Sequence, residues 1–483
     1  MNTKVAMAAF AATVAIMPCA VRAAEAVDGA HGMGTVPYFH LHGEDLSLIW
    51  GVPFVGILIS IAVLPLVAPH FWQRHFGKVS AFWTACVLIP MVLSVGWETT
   101  LFELVHLLTL EYLPFIILLL TLFTVAGGIH IAGSFRGTPA SNTAFLAAGT
   151  VIASWAGTTG ASMLLIRPVI RANAGRRHNV HVIVFFIFLV SNIGGGLTPL
   201  GDPPLFLGFL KGVNFFWPTI NVFFPMLVIV VPLLLIFYGL DAWYFRRETM
   251  PPETATKKTK VAIQGLPNVI LLGCVVGAVL MSGVWESNIS LTVFHVVLTL
   301  ENCLRDTLLL LIAWFSWRFT DRKHRHANAF NWHPIIEVAK LFAGIFVTIM
   351  PVIAILSAGT AGELSSVIAG VSYRGEPINA MYFWVTGLLS SFLDNAPTYL
   401  VFFNVAGGDA KALMGPLSNT LLAISVGSVF MGANSYIGNA PNFMVKAIAE
   451  GSGIRMPSFF GYLIWSAIFL LPLFAVVTLI FFV

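Results

Sequence analysis

Hydrophobic residues in this chain come in long unbroken runs instead of alternating with polar ones. Runs of about 20 apolar residues recur from one end to the other, each long enough to cross a hydrocarbon core as a helix. The pattern predicts spans over 46–69, 78–96, 112–133, 180–215, 218–245, 265–284, 304–320, 335–358, 416–450 and 458–482. Two further apolar stretches, 139–173 and 379–406, are broken midway by turn residues. A transmembrane barrel needs short alternating segments, and these runs are continuous. One segment departs from the rule. "TTLFELVHLLTLEY" (99–112) mixes apolar and polar positions at helical spacing and is predicted to lie in the outer interface as its own helix. Glu98, Glu103, His106 and Glu111 are candidates for a proton relay there, and a wetted polar face is the plainer reading.

Composition agrees with the runs. Hydrophobic residues make up 58% and charged residues 10%, where soluble proteins carry about 25% charged. The expected fold class is an all-α polytopic membrane protein, with the lipid bilayer as its surroundings and no nucleic acid as partner. The cysteines, Cys19, Cys86, Cys274 and Cys303, form no CxxC or His/Cys spacing. No zinc site, cluster, disulfide framework or other cofactor is expected. HExxH and GxSxG are absent too, so an intramembrane enzyme is not expected.

Charge sets the orientation. Residues 1–26, "MNTKVAMAAFAATVAIMPCAVRAAEA", have Lys4, a short apolar core and then small residues, and read as a secretory signal cut between Ala23 and Ala26. An uncleaved first helix is the alternative. Residues 27–45, with His31, His40 and His42, would then be periplasmic and the chain would sit in the inner membrane. Segments 70–78, 134–138, 167–179, 246–264, 318–340 and 446–457 fall inside, and they hold 19 of the 25 Lys and Arg. The assigned outer loops hold Lys211, Arg305, Arg374 and Lys411. Positive residues concentrate on cytoplasmic faces, which supports this orientation.

The charged stretch "RRETMPPETATKKTK" (246–260) divides the chain. A first repeat over 46–245, a cytoplasmic linker over 246–264 and a second repeat over 265–483 are expected. Each half holds five crossings and one broken hairpin. Five is odd, so the second half is inverted, as in secondary transporters. "SWAGTTGAS" (154–162) aligns with "SFLDNAPTY" (391–399), and "TPLGDPP" (198–204) with "SYIGNAP" (435–441), both at an offset of 237. Two motifs sharing one offset argue for a repeat.

Between them lies "GGGLTPLGDPPLF" (194–206), where a continuous helix would be expected. Gly194, Gly195, Gly196, Pro199, Gly201, Pro203 and Pro204 all disfavour helix. The helix from Val180 should stop before Thr198 and restart near Pro203. In hydrocarbon such a break is tolerated only against protein or a wet cavity, where its free carbonyls can hold a cation and the amides at the restarted end an anion. Asp202 lies at this break, and Asn434, Ser435 and Asn439 lie at the matching one, "GANSYIGNAPN" (432–442). The hairpin tips carry Gly157, Thr158, Thr159 and Gly160 in one half, and Asp394, Asn395, Pro397 and Thr398 in the other. An ionised Asp at the bilayer centre costs on the order of 2.5–3.5 kcal/mol or more, so it needs a partner or a proton. Asp202 and Asp394 are predicted to meet near the midplane.

"SNIGGGLTPLGDPP" followed by "LFLGFLKG", with "SSFLDNAPT" and "GANSYIGNAPN", resembles the signature of the ion transporter superfamily. That group includes NhaD-type sodium/proton antiporters, arsenite pump membrane subunits, the melanocyte P protein family, and citrate and dicarboxylate carriers. The resemblance covers 45–483. It implies an inverted repeat with two re-entrant helical hairpins and two unwound helices, and a homodimer. It also implies ion-binding positions at Asn192, Thr198 and Asp202, and at Asp394, Asn395, Ser435 and Asn439. One departure is the first tip, Gly157-Thr158, where many relatives have Asp-Asn. Dicarboxylate carriers favour Ser-Asn-Thr at both tips, and neither tip here has it. The expected function is sodium/proton antiport, with Asp202 and Asp394 taking either protons or the cation. The alternative is a sodium- or proton-coupled carrier of citrate or another carboxylate anion. A simple channel fits two mirrored dead-end hairpins poorly.

Overall fold

The computed structural model describes residues 41–133, 136–248 and 262–483. The signal reading over 1–26, His31, His40 and most of the 246–264 linker fall outside these residues. The chain is a helical membrane protein. Seven of the described helices are long and apolar enough to cross a bilayer, or eight if one bent pair counts as a single span. The longer helices are α1 (Val52–Val67), α2 (Pro69–Ser94), α3 (Trp97–Ala126), α4 (Pro139–Ala156), α5 (Thr158–Ala172), α6 (Val180–Leu189), α7 (Pro203–Leu210) and α8 (Trp217–Phe245). After the linker come α9 (Leu266–Val284), α10 (Leu300–Phe319), α11 (His333–Ser357), α12 (Asn379–Phe392), α13 (Asn395–Val405), α14 (Ser418–Met431), α15 (Ala440–Gly451) and the pair α16 (Phe459–Phe469) and α17 (Leu471–Phe481), bent by 41°.

Burial sorts the helices by surroundings. The span beginning with α6 is 89% buried, whereas α1, α2 and α9 bury 22%. The exposed side chains of the latter, such as Val67, Leu93 and Val284, are apolar and suit lipid. One continuous apolar core joins both halves of the chain, from Phe54 to Phe482.

The expected interfacial helix over 99–112 is corrected. These residues open the continuous 30-residue α3. Pro114 offers no amide to the carbonyl four residues back. The helix continues by widening: Leu108–Tyr112 form a π turn, and Leu113 donates to the Leu108 carbonyl. The span expected over 78–96 begins earlier, at Pro69, because proline at the first turn starts a helix at no cost in amide bonds. Segment 304–320 is helical within α10, but Glu301, Arg305, Asp306 and Arg318 leave it outside the seven apolar spans.

One polar cluster fastens α4, α5, α6 and α8 together at a common end. Asp241 of α8, fully buried, accepts from Arg176 Nη2 at 2.5 Å, His181 Nε2 at 2.8 Å and Asn142 Nδ2 at 2.9 Å. Asn142 and Asn173 exchange two further amide bonds of 2.8 and 3.0 Å.

Candidate functional site

Two paired-helix turns and two helix breaks converge. The first turn falls between α4 and α5 at Gly157, whose φ of 77° lies where glycine is favoured. The second falls between α12 and α13, where Asp394 caps the new helix, Oδ1 accepting from the Ala396 amide at 3.1 Å. The first break runs from α6 through a tight 3₁₀ turn, Ile193–Leu197, to extended residues and then α7. The second runs from α14 through Gly432–Asn434 to α15.

The two breaks are built alike, at the offset of 237 read from the sequence. The Thr198 hydroxyl donates to the Ser154 carbonyl, and Ser435 donates to that of Ser391. Ser154 in turn donates to the Gly194 carbonyl at 2.5 Å, and Ser391 to that of Met431 at 3.0 Å. The amides of Leu200 and Ile437 each return a bond of 3.2 Å to the hydroxyls of Thr198 and Ser435. Asp202 (φ −142°, ψ 143°) and Asn439 (φ −155°, ψ 141°) share one extended backbone conformation. Both breaks cross over a glycine pair. A Cβ on Gly201 would strike the Gly195 carbonyl, and one on Gly438 would lie 2.6 Å from the Gly432 oxygen.

Asp202 sits where these parts meet and is 1% exposed. Its carboxylate does not cap α7. Instead Oδ1 accepts from Thr158 Oγ1 at 2.9 Å and Asn439 Nδ2 at 3.1 Å, and Oδ2 accepts from Asn395 Nδ2. All three donors are neutral. Among the described residues, no ion pair includes Asp202 or Asp394. The oxygen Asn395 Oδ1 is buried and has no hydrogen-bond partner among the described residues. A cavity of about 690 Å³ reaches this point, with Asp202, Asp394, Thr158, Thr159 and Asn439 on its wall. Its other ionisable lining is Arg167, His333, Glu337 and Tyr436. Arg167 Nε is already given to the Asn328 carbonyl at 3.0 Å.

Thr158, Asp202, Asn395 and Asn439 thus come together, and Asp394 and Thr159 border the same space. Asp394 shares the cavity with Asp202 but no hydrogen bond with it. Thr198 and Ser435 spend their hydroxyls on holding the breaks to the helix turns, so they act on the site through the backbone. Thr398 bonds the Asp394 carbonyl within its own helix, at 3.0 Å. Asn192 makes no hydrogen bond to Asp202; its Nδ2 donates to Asn442 Oδ1 at 2.7 Å, and its Oδ1 is buried without a hydrogen-bond partner among the described residues. Asn442 was not singled out from the sequence, although it closes the motif "GANSYIGNAPN". It also donates to the carbonyls of Gly432 and Ser435 at 2.9 Å, tying the first break to the second. Its polar side chain at the first turn of the restarted helix, just after the break, is the available signal.

Comparison with curated proteins gives no match. The model of a family described as putative citrate transport matches residues 43–482, nearly the whole of the described chain. The chain therefore belongs to that putative citrate transport family, and it is a membrane transporter, not an enzyme.

Proposed function

We propose that this protein is a secondary active transporter that exchanges a cation, sodium by the chemistry of its ligands, for protons at Asp202 and Asp394. One observation carries the reading: Asp202 is buried among neutral donors and lacks a cationic partner among the described residues. A buried carboxylate without a partner must take up a proton or a cation. Asn395 Oδ1, oriented by the same side chain that donates to Asp202, offers a neutral oxygen to that cation. Oxygen-only ligation suits a hard ion. A site that holds one cargo at a time exchanges them.

The matched bonds at the two breaks support the inverted-repeat reading, with α4–α5 and α12–α13 as re-entrant hairpins. Asp202 and Asn439 are equivalent under the offset and touch each other. A two-fold relating the halves would then pass between them, and the site would lie at the repeat interface. Charge on the loops supports a periplasmic N-terminus in a plasma (inner) membrane.

The test is proton release from proteoliposomes on addition of sodium. Asp202→Asn and Asp394→Asn should each abolish it, and full exchange by either variant would overturn the reading. A second reading, a sodium- or proton-coupled citrate carrier, is favoured by the family description and by Arg167 on the cavity wall. Against it, the lining sets three carboxylates, of Asp202, Asp394 and Glu337, against that guanidinium and one imidazole. Sodium-dependent uptake of labelled citrate would establish the second reading in place of the first.

A further inference from the structure

A second pocket, of about 450 Å³, lies at the opposite end of α3 and α11, two of the helices that wall the central cavity. Along α11, His333 to Phe342 face the central cavity, and Met350 to Ser357 face this pocket. Along α3, Phe115 to Phe123 face the cavity, and Glu103 to Glu111 face the pocket. Nothing is shared between the two linings. Aromatic rings fill the interval: Phe115 packs on Phe342 and Phe346 with centroids 4.9 and 5.7 Å apart, and Tyr112 lies 6.2 Å from Phe346. The central cavity therefore opens toward the Arg167 end and is shut toward the Lys211 end.

One ion pair crosses the shut end. Lys211 Nζ meets Glu111 Oε1 at 2.5 Å. Lys211 ends α7, the eight-residue helix that begins immediately after Asp202. A rod of that length spans about 12 Å. Both of its joints are irregular, with extended residues before it and Gly212 at φ 99° after it. Such a rod can shift as a unit, and moving Lys211 moves Asp202. Glu111 sits in the π turn of α3, a widened turn of the kind found at functional positions. It is 7% exposed, and its second oxygen is buried without a partner among the described residues. The other ionisable groups on the pocket are His42, Glu44, Glu103 and His106. Among the described residues no three such groups converge as a metal site.

We propose that Glu111 and Lys211 are positioning residues for transport. Their ion pair holds α7, and with it Asp202, in the arrangement that opens the site toward the Arg167 end, and it parts when the site turns to the Lys211 end. This rests on the alternating-access reading above.

The test follows one thiol from both faces. Ala440 lines the central cavity, is exposed, and adjoins Asn439. Ala440→Cys is placed in the full chain with Cys19, Cys86, Cys274 and Cys303 replaced by serine, and labelled with a membrane-impermeant maleimide in vesicles of either orientation. In Glu111→Gln and Lys211→Met the ratio of labelling from the Lys211 face to the Arg167 face should rise about fivefold, the shift that one part-buried ion pair can supply. Lys211→Arg and the exchanged pair E111K/K211E should restore the original ratio. Both neutral variants break the pair independently, so either alone decides if the other fails to reach the membrane. A ratio unchanged in both, with labelling from both faces, overturns the latch and leaves alternating access standing. Labelling from one face only in transporting vesicles overturns both.

Discussion

The carboxylate of Asp202 accepts every hydrogen bond it makes from a neutral group, and under the proposed exchange its charge is what a proton or a cation neutralises. Sodium should therefore raise the melting temperature of the purified protein, since a ligand at about 100 times its dissociation constant adds about 2.7 kcal/mol. Asp202→Asn should remove that shift, as read by thermal denaturation with and without sodium. Asn395→Ala leaves Oδ2 of Asp202 without its donor, and cation affinity should fall about tenfold in a binding titration. The sequence made Thr158, Asp202, Asn395 and Asn439 legible because polar residues at a break in an apolar run have few other uses. It could not give the direction in which side chains point. Thr198 and Ser435 sit at the predicted breaks but turn toward the backbone of Ser154 and Ser391, and Asn192 turns toward Asn442.

Among the elements, the breaks were the most legible, since glycine and proline state where helix cannot persist. The restart at Pro203 is where the sequence puts it. The start of α3 was not, because polar residues at helical spacing look the same on an interfacial helix and on the polar end of a long span. Substitution at the crossed glycines should be costly. Gly201→Ala places a methyl group on the Gly195 carbonyl, and neither backbone is free to yield. A loss of about 1–3 kcal/mol is expected, with exchange reduced even where the protein still folds. The cluster at the far end of α4 and α5 is expected to matter through stability. Arg176→Ala leaves the buried Asp241 short of its cation, at about 3–5 kcal/mol. Thermal unfolding in detergent would read this as a large drop in melting temperature.

For the whole molecule, matched hydrogen bonds 237 residues apart say more than the sparse identities at that offset. The backbone path is alike at the two breaks although few residues at that offset are identical. At the point where corresponding positions touch, one half supplies a carboxylate and the other an amide. Two acids there would repel, and two amides would leave nothing to titrate, so a chain with identical halves could not have this contact. Reversing the pair, Asp202→Asn with Asn439→Asp, keeps the same atoms in contact but hands the acid to the second break, beside Asp394's end of the cavity. Which half carries the titrating group would then be set by a difference of one oxygen for one nitrogen, and a protein carrying the reversed pair is where the weight of that asymmetry on exchange can be measured.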